Sequence, residues 1–165
     1  MGKPIFDVED TEGQIRSMIE RKLDVVEDGL AAALSRIGEE CVSVARVKEQ
    51  AMPKDFKDQT GNLRSSYGYA VVRDGETTDE GMTEPTVTAH KRADKGATGQ
   101  RAGRAYLESV RDKSPRKGLS LVVVAGMGYA KYVQAKGLDV LNSSELVMRD
   151  RLKGLAKVAK EGKRR

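Results

Sequence analysis

The strongest constraint in this chain is an apolar stripe that keeps helical spacing for about ten turns. Ile15, Ile19, Leu23, Val26, Leu30, Leu34, Ile37, Cys41 and Val44 follow one another in steps of three and four residues. Such steps put every one of them on a single face of an α-helix. Glu20, Asp24, Glu27, Asp28, Glu39 and Glu40 fall off that face. The spacing therefore predicts a helix from about Thr11 to Gln50, with Asp10 or Thr11 as its cap and acids in its first turns, where the helix dipole favours them. Unbroken, it would reach about 60 Å. Gly29 and Gly38 are weak points at which a bend or break is expected. The stripe suits a helix lying across a sheet, and it suits a dimeric coiled coil.

Beyond this helix, residues 52–60 read as a connection that opens at Pro53. Thr60 is a natural N-cap for one short turn with Leu63 pointing inward. Tyr67, Tyr69 and Val71 then alternate with Gly68, Ala70 and Val72 as in a strand, which ends at Asp74-Gly75. Leu119 to Ala125 is the clearest strand of the chain. Its apolar character on both faces predicts a central position. Gly126-Met127-Gly128 turns the chain, and Tyr129 to Lys136 has helical spacing, with Tyr129, Tyr132, Val133 and Lys136 on one side. Gly137 suits the residue after a helix end. Asn142 or Ser143 can cap a last helix carrying Leu146, Val147, Leu152, Leu155 and Val158.

The stretch 74–118 holds little core material. Glu76 to Glu84 is acidic, and His90 to Arg104 is rich in Lys, Arg, Gly, Ala and Thr, with a short helix expected over Gly103 to Val110. So long a stretch is unusual inside a compact domain. It reads as an inserted arm or long hairpin, mobile alone and ordered by neighbours. The expected fold is α+β, one domain over residues 1–165. A small, mainly antiparallel sheet carries the long N-terminal helix and the C-terminal helix on one face. An N-terminal arm (1–10), the inserted arm (74–118) and a basic tail (159–165) complete it. At 165 residues a core needs no staples. That core is aliphatic, because there is no Trp and only two Phe.

Charge runs in blocks. Residues 73–86 hold five acids and one base, residues 87–118 nine bases and three acids, and residues 149–165 eight bases and two acids. Alternating blocks suit contact between copies, a basic patch meeting an acidic one. Basic blocks alone suit nucleic acid. Solvated surface explains any one of them. No apolar run is long enough for a signal peptide or a membrane span, so a soluble protein made in a reducing cytoplasm is expected. Cys41, the only cysteine, lies on the stripe and reads as buried core.

Candidate chemistry is sparse. The one histidine, His90, sits in the least core-like stretch, and nothing positions it for a triad. No cluster has metal-ligand spacing. Gly96 to Arg104 has the look of a phosphate loop but lacks its Lys-Ser/Thr ending. The adjacent acids Glu39 and Glu40 point to different sides of a helix. No catalytic, metal or cofactor site is assigned. Lys91, Arg92, Lys95, Arg101 and Arg104 are candidates for contact with other subunits or with DNA. Tyr106 is the only aromatic near them, so a base-stacking platform is missing.

Two segments carry a family resemblance. Thr60-Gly61-Asn62-Leu63-Arg64-Ser65-Ser66, after a long amphipathic helix, resembles the Thr-Gly-x-Leu-Arg-x-Ser signature of a tailed-phage family. Its members are known as head–tail joining, tail-completion or neck proteins. Tyr129-Ala130-Lys131-Tyr132-Val133-Gln134-Ala135-Lys136-Gly137 is similar to that family's later Tyr-Ala-x-Tyr-Val-Glu-x-Gly stretch. The order of elements matches as well, over about residues 11–73 and 119–158. Gln134 stands where the family has Glu, Leu138 where Thr is frequent, and Gln59 separates Asp58 from Thr60. The 74–118 stretch is longer than the family's connection.

The resemblance implies a non-enzymatic structural protein of the virion at the head–tail junction, made in the host cytoplasm. It would assemble as a ring of copies of itself, six-fold to match a tail tube, and touch other neck and tail proteins, with nonspecific contact to DNA in the channel and none to a membrane. Thr60, Gly61, Leu63, Arg64, Ser66, Tyr129, Ala130, Tyr132 and Gly137 would be its structural motif residues. Thr60 and Gly61 would aim the following strand, and Tyr129 and Tyr132 would anchor a short helix and leave hydroxyls at a subunit seam. The rival from another class is a nonspecific nucleic-acid-binding protein of a phage or mobile element. An enzyme, the remaining alternative, would need a deep polar pocket around His90 or the Gly-rich stretch.

Overall fold

The computed structural model describes residues 8–50, 60–86 and 96–162. The elements run α1 (Val8–Gln50), a 3-10 turn (Arg64–Ser66), β1 (Tyr67–Arg73), β2 (Glu76–Met82), α2 (Ala97–Arg111), β3 (Leu119–Ala125), α3 (Ala130–Ala135) and α4 (Asn142–Gly162). The fold is α+β, with one antiparallel sheet in the order β2-β1-β3. The N-terminal arm shortens, since α1 already begins at Val8. The basic tail is helical as far as Gly162. Pro53 and the rest of residues 51–59 lie outside the described residues.

The period-two pattern of β1 explains the layering. Tyr67, Tyr69 and Val71 pack with Leu34, Ile37, Cys41 and Ala45 of α1, with Ala130 and Val133 of α3, and with Val140. Val147, Met148 and Leu155 of α4 close this layer from outside. Ala70, on the opposite face, packs with Val124 and with Leu107 of α2. Thus α1, α3 and α4 share one face of the sheet, as the stripe predicts, and α2 covers the other.

Two expectations are corrected here. The stretch 74–118, expected as an inserted arm or long hairpin, is packed on the sheet in its described parts, while residues 87–95 lie outside the described residues. Its first part is β2, and 97–111 is a 15-residue helix packed on the sheet. Asp74 and Gly75 both have positive φ, 53° and 88°, the conformation of a two-residue hairpin turn that matches strand twist. β2 follows directly, acidic because it is an edge strand with one side to solvent. Its acids find partners in Tyr69, whose phenol donates to Asp79 at 3.0 Å, and in Arg111, 3.7 Å from Glu80. The helix expected over Gly103 to Val110 starts earlier, at Ala97, and its buried face is Gly99, Gly103 and Leu107, with Tyr106 exposed.

The second correction concerns β3, which is an edge strand, with β1 in the centre. Helices on both faces make β3 apolar on both sides, and alternation reports faces, not lateral neighbours.

α1 runs unbroken through both glycines. At Gly38 the reason is contact: a Cβ there would stand 2.4 Å from the Tyr69 ring, whereas nothing lies within 4 Å of one at Gly29. The same test locates the tightest packing in the molecule. A Cβ on Gly99 would meet the Asn62 carbonyl oxygen at 2.0 Å, and one on Gly103 the Ser66 oxygen at 2.6 Å. A Cβ on Gly126 would meet Gly103 Cα at 2.3 Å. Glycines four apart share a helix face, so α2 rests its backbone directly on the turn before β1 and on the end of β3.

Gly99→Ala and Gly103→Ala are therefore expected to lose about 1–3 kcal/mol through overpacking. Gly29→Ala, in open space, should gain about 0.5–1 kcal/mol from helix propensity. Urea unfolding of the three variants measures both signs.

Candidate assembly surfaces

The Thr-Gly segment is a hydrogen-bonded knot. Gly61 takes a left-handed φ of 75°, which bends the chain so that its carbonyl accepts from Ser65 N–H at 3.0 Å and from Ser65 Oγ at 2.6 Å. Leu63 is fully buried, as expected, and its carbonyl accepts from Ser66 N–H and Oγ. Thr60 Oγ1 accepts from Asn62 N–H at 3.4 Å, the bond of a cap residue to the second residue after it, while the 3-10 residues begin only after Leu63. Neighbouring segments tie into the knot. Thr83 Oγ1 donates to the Arg64 carbonyl at 2.9 Å, Thr86 N–H donates to Ser65 Oγ at 2.8 Å, and Gly99 N–H donates to Asn62 Oδ1 at 3.2 Å. All of these groups hold the chain in place.

The Tyr-Ala segment is α3. Gly137, with φ 79°, terminates it and donates to Gln134 O, as the sequence predicts. The anchors differ from expectation. Ala130 and Val133 are buried, while Tyr132 is 64% exposed and lies under Lys136, whose ammonium is 5.2 Å from the ring centre. In so short a helix one face reaches the sheet, and it is the small residues that fit there. The cap of α4 is also different, for Asp139 accepts from Ser143 N–H at 3.0 Å and from its hydroxyl.

Arg101 and Arg104 are exposed on the outer side of α2. Lys91, Arg92, Lys95 and His90 lie outside the described residues. The Gly-rich stretch 96–104 builds the first half of α2, and its glycines serve close packing. Sequence reasoning missed this because a helix that contacts backbone with glycine leaves no apolar period.

The long helix divides in two. From Leu34 onward its stripe is core, but Ile15, Met18, Ile19, Leu23, Val25 and Val26 are each more than half exposed. About 20 residues, roughly 30 Å of helix, thus carry the stripe beyond the body. Arg73, at the end of β1, holds the base of this projection by reaching Glu27, Asp28 at 2.8 Å and Asp24 at 3.7 Å. Near the other end of the packed half, Arg151 of α4 forms a two-bond pair with Glu40, at 2.6 and 2.8 Å, which lowers the carboxyl's pKa. Glu39, by contrast, lines a groove with Arg46, Tyr69 and Asp79. Burial, with the Asp79 carboxylate next, pushes the Tyr69 phenol far above its ordinary value.

Cys41 is wholly buried where α1 meets α4. Its thiol donates to Ser144 O at 3.4 Å, and Ser144 Oγ donates to Cys41 O at 2.7 Å. Burial, then the neighbouring Glu40 charge, raises its pKa. The native thiol should resist alkylation at pH 8 and react at the unfolded rate in denaturant, which a thiol-titration time course reads directly. A thiol harder to ionise when folded leaves stability intact below its ordinary value of 9.0 and lowers it as the pH climbs past that value, because the unfolded chain loses the proton first. A Cys41→Ala variant should lack this part of the alkaline decline.

Among the described residues no three metal-ligating side chains converge, and no helix is long and apolar enough to cross a membrane. No family model, curated protein or solved structure matches the chain.

Proposed function

We propose that this chain is a structural, non-catalytic subunit of a tailed-phage virion, placed at the head–tail junction as a neck, tail-completion or tail-terminator protein and assembling there as a ring. The observation that carries the reading is the projecting half of α1. A helix that keeps its apolar face for 30 Å beyond its own core is built to be covered by something else. The two sequence segments that resemble the head–tail joining family support the same reading, since both serve to hold a small sheet between helices. Ring closure uses two unlike surfaces on each copy. The acidic side of β2 and the basic outer side of α2, with Arg101 and Arg104, are one such pair.

Leu23→Gln with Val26→Gln removes two apolar contacts of about 1.5 kcal/mol each and should weaken assembly by roughly a hundredfold with little change in the melting temperature of the free subunit. Arg101→Glu with Arg104→Glu should weaken ring formation in light scattering, and unchanged assembly in both double variants would overturn the reading. Electron microscopy of particles carrying the tagged chain should place it at the junction. The nucleic-acid alternative rests on the exposed Arg101 and Arg104. It requires DNA binding by the free protein with a steep salt dependence, which the joint reading does not.

A further inference from the structure

The sheet has two lateral edges and treats them differently. β2 carries Glu76, Asp79 and Glu80 and is bulged where the register slips between Val71 and Val72. Charges and bulges are the usual guards of an edge strand. β3, Leu-Ser-Leu-Val-Val-Val-Ala, has no charge, no proline and no bulge over seven residues. Among the described residues no strand lies on its outer side.

Hydrogen-bond parity shows which groups wait there. Gly126 N–H donates to Ser66 O and Asp74 N–H to Gly118 O, both at 3.0 Å. The unbroken register between these ends turns the backbone of Ser120, Val122 and Val124 toward β1. The N–H and C=O groups of Leu119, Leu121, Val123 and Ala125 therefore face outward. Beside them runs a groove of about 510 Å³, walled by Tyr106 and Val110 of α2 and by Lys131 and Gln134 of α3. It continues into a recess of about 210 Å³ reaching Glu145 and Met148 of α4.

We propose that the outer edge of β3 pairs with β3 of a second copy of this chain, antiparallel about a two-fold axis through Val122. The occupant must be uncharged and apolar on both faces over seven residues. Among the described strands β2 is acidic and β1 ends in Arg73 and is already paired on both sides, so β3 itself is the one that qualifies. With Leu119 opposite Ala125 and Leu121 opposite Val123 of the second copy, all four outward residues of each strand both donate and accept. Side chains of like character meet on either face. Lys131 lines the groove toward the Ala125 end and Glu145 the recess nearer the strand's middle. An antiparallel arrangement places the two lysines at opposite ends of the joined strands. A strand edge alone is smaller than the roughly 800 Å² per partner that a stable dimer buries. Tyr106, half exposed on the groove wall, extends the contact. This pairing needs only a second copy and does not rest on the head–tail reading, whose ring contacts are of the unlike kind.

The two-fold fixes a test by geometry. Val122 faces its own symmetry mate as a non-hydrogen-bonded pair, with Cα atoms about 4.5 Å apart, within disulfide reach. Val122→Cys should give a disulfide-linked dimer on mild oxidation, while Ser120→Cys, which faces Val124 of the second copy, should not. Native Cys41 is buried and does not compete. Val123→Pro removes an outward N–H that the fold does not use, so it should keep its circular dichroism spectrum and sediment as a monomer where the unaltered protein sediments as a dimer. The proposal is overturned by a monomeric unaltered protein, by a folded Val123→Pro variant that still dimerises, or by cross-linking that is equal at positions 120 and 122 or absent at 122. Should Val123→Pro not fold, the cysteine pair decides the matter alone.

Discussion

A strand covered on both faces has no room for large side chains on both, and β1 resolves this by being asymmetric. Its tyrosines and Val71 face the α1 layer, and Gly68, Ala70 and Val72 face α2. The small residues matter most. They let α2 approach until Gly99 and Gly103 lie on the backbone of the turn from Asn62 to Ser66 and on Gly126. A contact between backbones has no flexible atoms with which to relax, so it sets the distance between the helix and the sheet. The hairpin, the knot at Gly61 and the end of β3 then have fixed positions relative to one another.

On the other face the packing is ordinary and aliphatic, and it is local. α1 contributes to the core from about Ala31 onward. The rest of the helix is held by polar means. Arg73 gathers three acids where the helix leaves the sheet, a network of partly exposed groups that orients the projection more than it stabilises the fold. One helix thus does two jobs with one continuous stripe. Its C-terminal half closes the core, and its N-terminal half presents the same kind of surface to the outside. Among the described residues no strand lies on the outer edge of β3, a second surface of this kind made of backbone rather than side chains. The proposal of an assembly component rests physically on these two features.

The inserted arm shows where pattern reading loses its grip. Asp74-Gly75 is a strong hairpin signal, but the residues after it are acidic and threonine-rich, and an edge strand needs no apolar face of its own to join a sheet already made. Gly96 to Arg104 has the composition of a flexible linker. It is helical because α2 meets backbone rather than side chains along Gly99 and Gly103, and a helix of that kind shows its period in glycines. The two tyrosines of the second segment were placed on the right turn and given the anchoring that Ala130 and Val133 perform. In so short a helix the residue that fits the space outranks the one with the stronger general preference.

Local chemistry settled a good deal unaided. The long helix, the strands at β1 and β3, the glycine exit at Gly137, the burial of Leu63 and Cys41 and the α+β class all follow from spacing and backbone preference within a few residues of each position. The tertiary structure alone decided that β1 rather than β3 is central, that α2 covers the second face, and that the stripe of α1 leaves the core near Ala31. Those are questions of which surface meets which. A residue's periodicity records that it wants to be covered, and only the packed chain determines whether its own neighbours or another molecule will cover it.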